Sequence, residues 1–205
     1  TPASPNPTAP GTAWGQSVIG PGPEVCYNYY TPPGAPGESG NYPTGCVATA
    51  MAQVMHYFQH PVVGVGTDRF EIHVDGNAEQ RALRGGDGQG GPYDWNLMPL
   101  DPYRGGPVTE AQKQAVAALC HDAGVAAHGN YTPAYTRIKD DEPAAALTGV
   151  FHYQNAVRAH NNLEQIPMPS LLDMVNANLD SARPVIVGLQ EAGETLGHVV
   201  VADEA

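Results

Sequence analysis

The segment NYPTGCVATAMAQVMHYFQHP, residues 41–61, decides the fold because it joins an amphipathic helix to a cysteine at the start of that helix. Apolar residues recur in it at helical spacing, and no glycine or proline interrupts the pattern between Val47 and Gln59. The spacing therefore predicts a helix over residues 47–59, directly after Cys46. The apolar set is Val47, Ala50, Met51, Val54, Met55 and Phe58.

Cys46 is a candidate nucleophile because of its position. A thiol reacts as its thiolate, and its pKa of about 8.5 falls by roughly one to five units at a helix N-terminus beside an imidazolium. Unpaired N–H groups and the helix dipole stabilise negative charge at that end. Gly45 has no side chain, so it permits a strained turn and a close approach of a substrate backbone. The alternative is that Cys46 is a small structural cysteine with no chemical role.

Composition limits the partners of the chain. Its 205 residues suffice for one domain, or for one domain built of two lobes around a cleft. Lys plus Arg total 9 against 21 for Asp plus Glu, and the net charge of −12 disfavours nucleic acid and anionic lipid. No apolar run approaches the roughly 20 residues that span a bilayer. We therefore expect no nucleic-acid partner and no membrane insertion.

The chain begins with a proline-rich stretch, TPASPNPTAPGT. We interpret residues 1–12 as a leader or linker and residues 13–205 as the folded domain, with Thr1 as a processed start. The acidic, lysine-poor and Gly/Pro/Tyr-rich composition is compatible with a secreted, extracellular protein.

The three cysteines are Cys26, Cys46 and Cys120. This odd number permits one disulfide and one free thiol, or three free thiols. The sequence does not choose between these, although a bond between Cys26 and Cys120 would leave Cys46 as the free thiol.

Local patterns predict further elements along the chain. GTDRFEIHVDG predicts a short strand, and TEAQKQAVAALCHDAG predicts a helix with a capping box from Thr109 to Gln112 and an end at Gly124. EPAAALTGVF predicts another helix, and SLLDMVNANLDSA predicts one capped by Ser170 with Asp173. RPVIVGLQ and GHVVVADE predict two antiparallel strands, with His198 opening the second.

A cysteine nucleophile needs a base, and His198 is the best candidate among eight histidines. It follows Gly197 and leads into a strand of small apolar residues, a rigid platform that could direct an imidazole across a cleft. His56 and His60 stand four apart and could share a helix face as metal ligands. HYFQH lacks the glutamate of a zinc protease helix and no third ligand is evident, so we predict no metal and no cofactor. Surface positions are expected for the other histidines, namely His73, His121, His128, His152 and His160.

An attack on a carbonyl also needs donors for the oxyanion that forms. The Cys46 backbone N–H is one candidate, and the side-chain amide of Gln16, in AWGQS, is the second. The alternative for Gln16 is an ordinary surface glutamine.

Gln16, Cys46 and His198 follow the chain order of papain-like cysteine peptidases, and the sequence around them strongly resembles the streptopain family of secreted bacterial cysteine proteases. TGCVATAMAQVMHYFQHP resembles its nucleophile segment, WGQ its oxyanion-glutamine segment and GHVVVAD its histidine segment. YDWNLMP and LCHDAGVAAHGNY also resemble segments of the family. The similarity runs in order from about Trp14 to Asp203.

The resemblance implies an α+β, papain-like fold of two lobes, with a mostly helical lobe carrying Cys46 and an antiparallel sheet lobe carrying His198. It implies endopeptidase cleavage of protein substrates, synthesis with an inhibitory pro-segment, and export. Cys46, His198 and Gln16 would be catalytic, and Gly45 and Gly197 would line the substrate cleft.

The chain departs from the family pattern after its histidine, since Asp203, Glu204 and Ala205 end it. The family continues with further strands and an Asn-Trp-Gly-Trp stretch that orients the imidazole. An incomplete sequence, a remaining C-terminal segment supplied by another chain, and a shortened non-catalytic relative would each account for this; we expect the first. On this interpretation the 205 residues alone would not turn over substrate.

The rival to a secreted peptidase is a non-catalytic, extracellular structural or adhesive module that retains the fold. The segment HGNYTPAYT also lacks the Gly-Ser pair that the family has in its cleft. The resemblance therefore defines the reaction type better than it defines the substrate preference.

Overall fold

The computed structural model describes residues 12–19, 24–104, 106–160, 166–190 and 197–203. Residues 1–11 of the predicted leader lie outside this part of the chain, and the predicted domain boundary stays a prediction. The described residues form a mixed α+β fold. Its elements are β1 (Val18–Ile19), β2 (Glu24–Val25), α1 (Cys46–Phe58), β3 (Arg69–Val74), β4 (Asn77–Ala82), a 3₁₀ turn (Trp95–Leu97), α2 (Glu110–Ala126), β5 (Asn130–Tyr131), β6 (Thr136–Arg137), α3 (Glu142–Gly149), α4 (Met168–Leu179), β7 (Val185–Leu189) and β8 (His198–Ala202).

Helix α1 confirms the main sequence prediction and begins at the cysteine itself. Its apolar face is buried, with Met51 and Met55 fully enclosed, and burial of such side chains contributes about 1.5–3 kcal/mol each. The helix ends because Gln59 adopts a left-handed conformation (φ 45°, ψ 48°). His60 therefore lies beyond the helix, and the expectation that His56 and His60 share one helix face is wrong.

Helix α2 packs against α1 and confirms the predicted capping box. The Thr109 side chain accepts from the Gln112 backbone N–H, and the Gln112 side chain accepts from the Thr109 N–H at 2.9 Å. The predicted end at Gly124 is wrong, because α2 continues to Ala126. A Cβ on Gly124 would overlap the Tyr131 hydroxyl, so this glycine allows close packing inside the helix instead of ending it.

Four strands form one sheet in the order β4-β3-β5-β6. The pair β3–β4 is an antiparallel hairpin, β5 runs parallel to β3, and β6 is antiparallel to β5. Strand β3 was predicted. Strand β4 was not, because its sequence NAEQRA is polar and mostly exposed; the hairpin follows from a turn with two positive φ angles, at Asp75 (51°) and Gly76 (80°).

The last part of the chain forms α4 and the antiparallel ribbon β7–β8. Both predicted strands are confirmed, with His198 opening β8 and paired with Leu189. The predicted Ser170 cap is wrong: α4 begins two residues earlier, at Met168, with Pro169 in its first turn. Proline suits that position because its missing N–H would be unpaired there in any case.

The ribbon is held against the rest of the fold by α1, which contacts both β7 and β8. The Tyr57 hydroxyl donates to the Ala182 carbonyl at 3.1 Å, just before β7. Helix α1 thus has the core on one side and the ribbon on another. No helix in the described ranges is long and apolar enough to cross a membrane.

Candidate active site

A cavity of about 500 Å³ lies between the start of α1, the segment around Gln16 and the first residues of β8. Gln16, Cys46 and His198 all line it, although 182 residues separate the first from the last (198 − 16 = 182). The remaining lining residues are Trp14, Gly15, Ser17, Val18, Thr49, Gln53, Val199, Val200 and Val201.

Cys46 is the first residue of α1 and is partly exposed to the cavity. Gly45 precedes it and provides no side-chain cap, and the first turn of α1 contains no acidic residue. The positive end of the helix dipole therefore acts on the sulfur without an opposing carboxylate in that turn.

Gly45 has a conformation that other residues adopt rarely, with φ 91° and ψ 146°. A Cβ on this residue would lie 2.7 Å from the Thr136 carbonyl oxygen and 2.9 Å from the Thr136 Cβ. Gly45 is buried and, in the described part of the chain, is not among the cavity-lining residues. Glycine at this position therefore permits the turn and lets β6 approach closely. Contact of Gly45 with substrate stays a prediction.

The Gln16 segment is attached to the start of α1 through the backbone. Its carbonyl oxygen accepts from the Thr44 N–H at 2.8 Å, two residues before Cys46. Trp14 is buried, and its indole N–H donates to the Pro99 carbonyl at 2.9 Å. These bonds fix the segment on which the Gln16 amide lies.

His198 is exposed at the cavity rim and lies on β8, opposite Leu189. Gly197 precedes it, and a Cβ there would lie 2.7 Å from the Leu189 carbonyl oxygen. Gly197 is thus constrained by the ribbon itself. It is not among the described lining residues, and its predicted contact with substrate also stays a prediction.

Trp14, Thr49 and Gln53 also line the cavity and were not predicted from the sequence. Cys46, Thr49 and Gln53 are spaced i, i+3 and i+7, which places them on one face of α1. That spacing is visible in the sequence, but the helix was predicted from its apolar face alone. Gln53 is held by a hydrogen bond from its amide to the Thr12 carbonyl at 2.5 Å.

The other two cysteines are chemically different from Cys46. Cys26 and Cys120 are fully buried, and all three cysteines are free thiols in the structure. Burial raises the pKa of Cys26 to about 12, and it also raises the pKa of Cys120, with the nearby Cys26 adding to the effect. Neither buried thiol will compete with Cys46 as a nucleophile at neutral pH.

The two histidines considered as metal ligands, His56 and His60, contact aromatic side chains. His56 is buried edge-on against Trp14, with ring centroids 5.1 Å apart, and burial lowers its pKa despite an opposing backbone hydrogen bond at Met98. His60 packs instead against Tyr153. The described ranges contain no group of three or more His, Cys, Asp or Glu side chains suited to a metal ion. His121 was expected at the surface and is only 2% exposed, because it lies on the inner face of α2.

Comparison with solved structures defines the class of protein to which this fold and cavity belong. The structure of the active interpain A cysteine protease of Prevotella intermedia matches with a TM-score of 0.73 and 28% identity, covering 99% of this chain and 79% of that one. A prointerpain A fragment matches with a TM-score of 0.72 and 29% identity, covering 99% of this chain and 60% of the other. The predicted α+β, papain-like cysteine peptidase fold is therefore confirmed.

The chain belongs to the Peptidase C10 family, whose model matches residues 22–204. Streptopain of Streptococcus pyogenes is 26% identical over 189 residues, covering 87% of this chain. The thiol protease/hemagglutinin PrtT of Porphyromonas gingivalis is 26% identical over 161 residues, covering 78% of this chain. The chain spans 46% of the length of streptopain and 17% of that of PrtT.

Proposed function

We propose that this protein is a cysteine endopeptidase in which Cys46 is the nucleophile, His198 the base and Gln16 an oxyanion donor. The observation that carries the proposal is the shared cavity: three side chains with complementary chemistry line one space of about 500 Å³. Membership of a cysteine peptidase family supports the same reaction class.

The reaction begins when His198 takes the proton of Cys46, which gives a thiolate–imidazolium pair. The sulfur attacks the scissile carbonyl carbon, and the oxyanion that forms accepts hydrogen bonds from the Gln16 amide and the Cys46 backbone N–H. The Cys46 N–H is available because it belongs to the first turn of α1, where backbone donors have no partner within the helix.

His198 then gives its proton to the leaving amine, and the C–N bond breaks to leave a thioester on Cys46. Water attacks this acyl-enzyme while the same imidazole takes its proton, and the acid product and free thiol are released. The exposed position of His198 at the rim of the cavity suits both proton transfers, since the leaving amine and the water reach it from solvent.

Protein or peptide chains are the substrates that this chemistry implies, and we propose that the protein acts outside the cell. The acidic, lysine-poor composition is compatible with an extracellular setting. We also propose a removable pro-segment, on the basis of the similarity to a prointerpain A fragment.

Selective alkylation of Cys46 tests the thiolate–imidazolium pair without requiring turnover. An epoxide that alkylates papain-like thiols is expected to label Cys46 at pH 5.5 at least about tenfold faster than Cys26 or Cys120. Burial keeps those two thiols protonated at this pH, since it raises the pKa of Cys26 to about 12 and also raises the pKa of Cys120. Peptide mapping by mass spectrometry gives the three rates.

The role of His198 is isolated by comparing His198→Asn with His152→Asn. The first variant should lose labelling at pH 5.5 and regain it only as the pH rises toward the pKa of an unassisted thiol. The second changes an exposed histidine that does not line the cavity, and it should label as the parent does. Equal labelling of all three cysteines, or labelling at pH 5.5 that survives His198→Asn, would favour the rival non-catalytic module.

Gln16 is expected to act on the rate rather than on substrate binding. Gln16→Ala should lower kcat by about 10²–10³ with little change in KM, because an oxyanion donor interacts more strongly with the transition state than with the substrate. Gln53→Ala is the matched control, since Gln53 lines the same cavity but donates its amide to the Thr12 carbonyl. Steady-state kinetics of the full-length protein on a fluorogenic peptide would contradict the assignment if both variants lost activity equally.

A further inference from the structure

A second cavity of about 500 Å³ lies beside the β3–β4 hairpin and shares no lining residue with the cavity at Cys46. Three arginines line it, Arg69, Arg81 and Arg84, which are a third of the nine basic side chains in the chain. Glu79 is the one carboxylate among its described lining residues, so the formal charge of the lining is +2 (3 − 1), and the Asp122 carboxylate next to Arg84 lowers the local total to +1 (2 − 1). A chain of net charge −12 thus concentrates positive charge at one concave site.

Both the side chain and the backbone of Arg84 are held by neighbouring residues. Its guanidinium lies over the Tyr30 ring, 3.7 Å from the centroid. Its backbone N–H donates to Asp122 Oδ1 at 2.8 Å. Its Nε is buried and has no hydrogen-bond partner among the described residues. A buried, unpaired charged donor is costly, so the Arg84 guanidinium lacks one of the acceptors that it can use.

His121 contributes a second buried polar group to the same cavity. It is 2% exposed, lines the cavity and places Nδ1 2.8 Å from Asp122 Oδ1. A carboxylate can only accept, so Nδ1 carries the proton and Nε2 is directed away from Asp122. The imidazole orientation is therefore fixed independently of any ligand.

Asp122 organises both groups from beneath the cavity. This fully buried carboxylate also accepts from the Gly85 N–H at 2.8 Å and from the Tyr93 hydroxyl at 2.6 Å. One residue thus fixes the backbone at Arg84 and the ring of His121. Such preorganisation is typical of a built binding site, whereas a solvated cluster of surface arginines does not require it.

Arg69 and Arg81 lie on the neighbouring strands β3 and β4 and retain free donors. Arg69 Nη2 donates to the Gln80 carbonyl at 2.8 Å, and Arg81 pairs with Glu79. Each guanidinium has five N–H donors, so one such contact leaves several for a ligand. Arginine is the side chain best suited to carboxylate and phosphate groups.

We propose that this cavity binds an oxyanion, a carboxylate or phosphate group, through Arg69, Arg81 and Arg84, while His121, held by Asp122, forms part of the cavity wall. Its volume far exceeds the roughly 30 Å³ that one water occupies in the liquid, so the anion can be part of a larger ligand such as an acidic peptide.

Isothermal titration of the full chain tests the site with inorganic phosphate and with an N-acetylated, amidated tetraglutamate peptide. The corresponding tetraglutamine peptide measures binding that does not depend on charge. Arg69→Gln combined with Arg81→Gln is expected to weaken anion binding about tenfold or more, since charge-assisted hydrogen bonds are lost. Arg104→Gln combined with Arg183→Gln is the charge-matched control, because neither residue lines the cavity.

For a third variant we expect the opposite effect on anion affinity. Glu79→Gln removes the competing carboxylate and should tighten binding about threefold. Phosphate binding that depends on the two arginines identifies a free anion as a ligand, and binding of the tetraglutamate alone with the same dependence identifies an acidic chain. Absence of binding by both probes, or equal weakening by both arginine pairs, would overturn the proposal.

Discussion

Replacing Cys46 with alanine is expected to lower the rate of peptide hydrolysis by the full-length protein by a factor of about 10⁴ or more. The expected loss is this large because, in the proposed mechanism, the Cys46 sulfur both attacks the carbonyl and carries the acyl group in the intermediate. The thermal unfolding temperature should change little, since Cys46 is partly exposed at the cavity wall. A quenched-fluorescent peptide substrate measures the rate, and circular dichroism follows unfolding.

Cys120→Ala is the control, because it should lower stability and leave the rate of hydrolysis unchanged. Its thiol is fully buried in the core between helices, so its removal should cost about 1–3 kcal/mol of unfolding free energy while the rate per folded molecule is retained. The variant Cys46→Ala with His198→Ala should be no slower than either single variant, because in the proposed mechanism the two groups act as one unit. A Cys46→Ala protein that kept more than a tenth of the parental rate would exclude Cys46 as the nucleophile.

The helices and strands that could be predicted are those whose sequence pattern lies within a few neighbouring residues. The α1 pattern, the Thr109–Gln112 capping box and the β-branched runs of β7 and β8 each specify their structure locally. Their side chains also pack as the patterns require, so local preference and tertiary structure agree.

The errors arose where the tertiary structure determined the role of a residue. Gly124 has the sequence signature of a helix end, yet its lack of a side chain makes room for Tyr131 from β5. The polar strand β4 has no apolar alternation to reveal it and is defined by the turn and by its partner β3. Such roles depend on residues that are distant in sequence, which the local pattern does not contain.

The candidate site shows the same division. The helix position of Cys46 and the strand position of His198 could each be predicted from neighbouring residues, whereas Thr49 and Gln53 belong to the site because of the cavity that they line. The second cavity was missed because Arg69, Arg81 and Arg84 form no motif in the sequence. Their meeting depends on the β3–β4 hairpin and on Asp122 in α2.

Gly45→Ala is expected to destabilise the protein by about 4 kcal/mol and to disturb the geometry at Cys46. Two independent costs contribute. A side chain at φ 91° and ψ 146° costs about 1–3 kcal/mol of backbone strain, and overlap of its Cβ with the Thr136 carbonyl at 2.7 Å adds about 1–3 kcal/mol. The overlap can be relieved by a shift of β6 or by a change of the turn, and either movement displaces Cys46, the first residue of α1. Urea unfolding measures the loss, and the rate of Cys46 alkylation reports the altered site.

Gly149→Ala separates this effect from the general consequence of replacing a glycine. Gly149 is the last residue of α3 and has no positive φ, and a Cβ added to it would meet no neighbouring atom within 4 Å. Alanine there should raise the unfolding free energy by up to about 1 kcal/mol, since it restricts the unfolded chain and favours the helix. The two substitutions are chemically identical and should change stability with opposite signs. If Gly45→Ala instead proved neutral and left Cys46 alkylation unchanged, the close contact with Thr136 would not be what positions the start of α1.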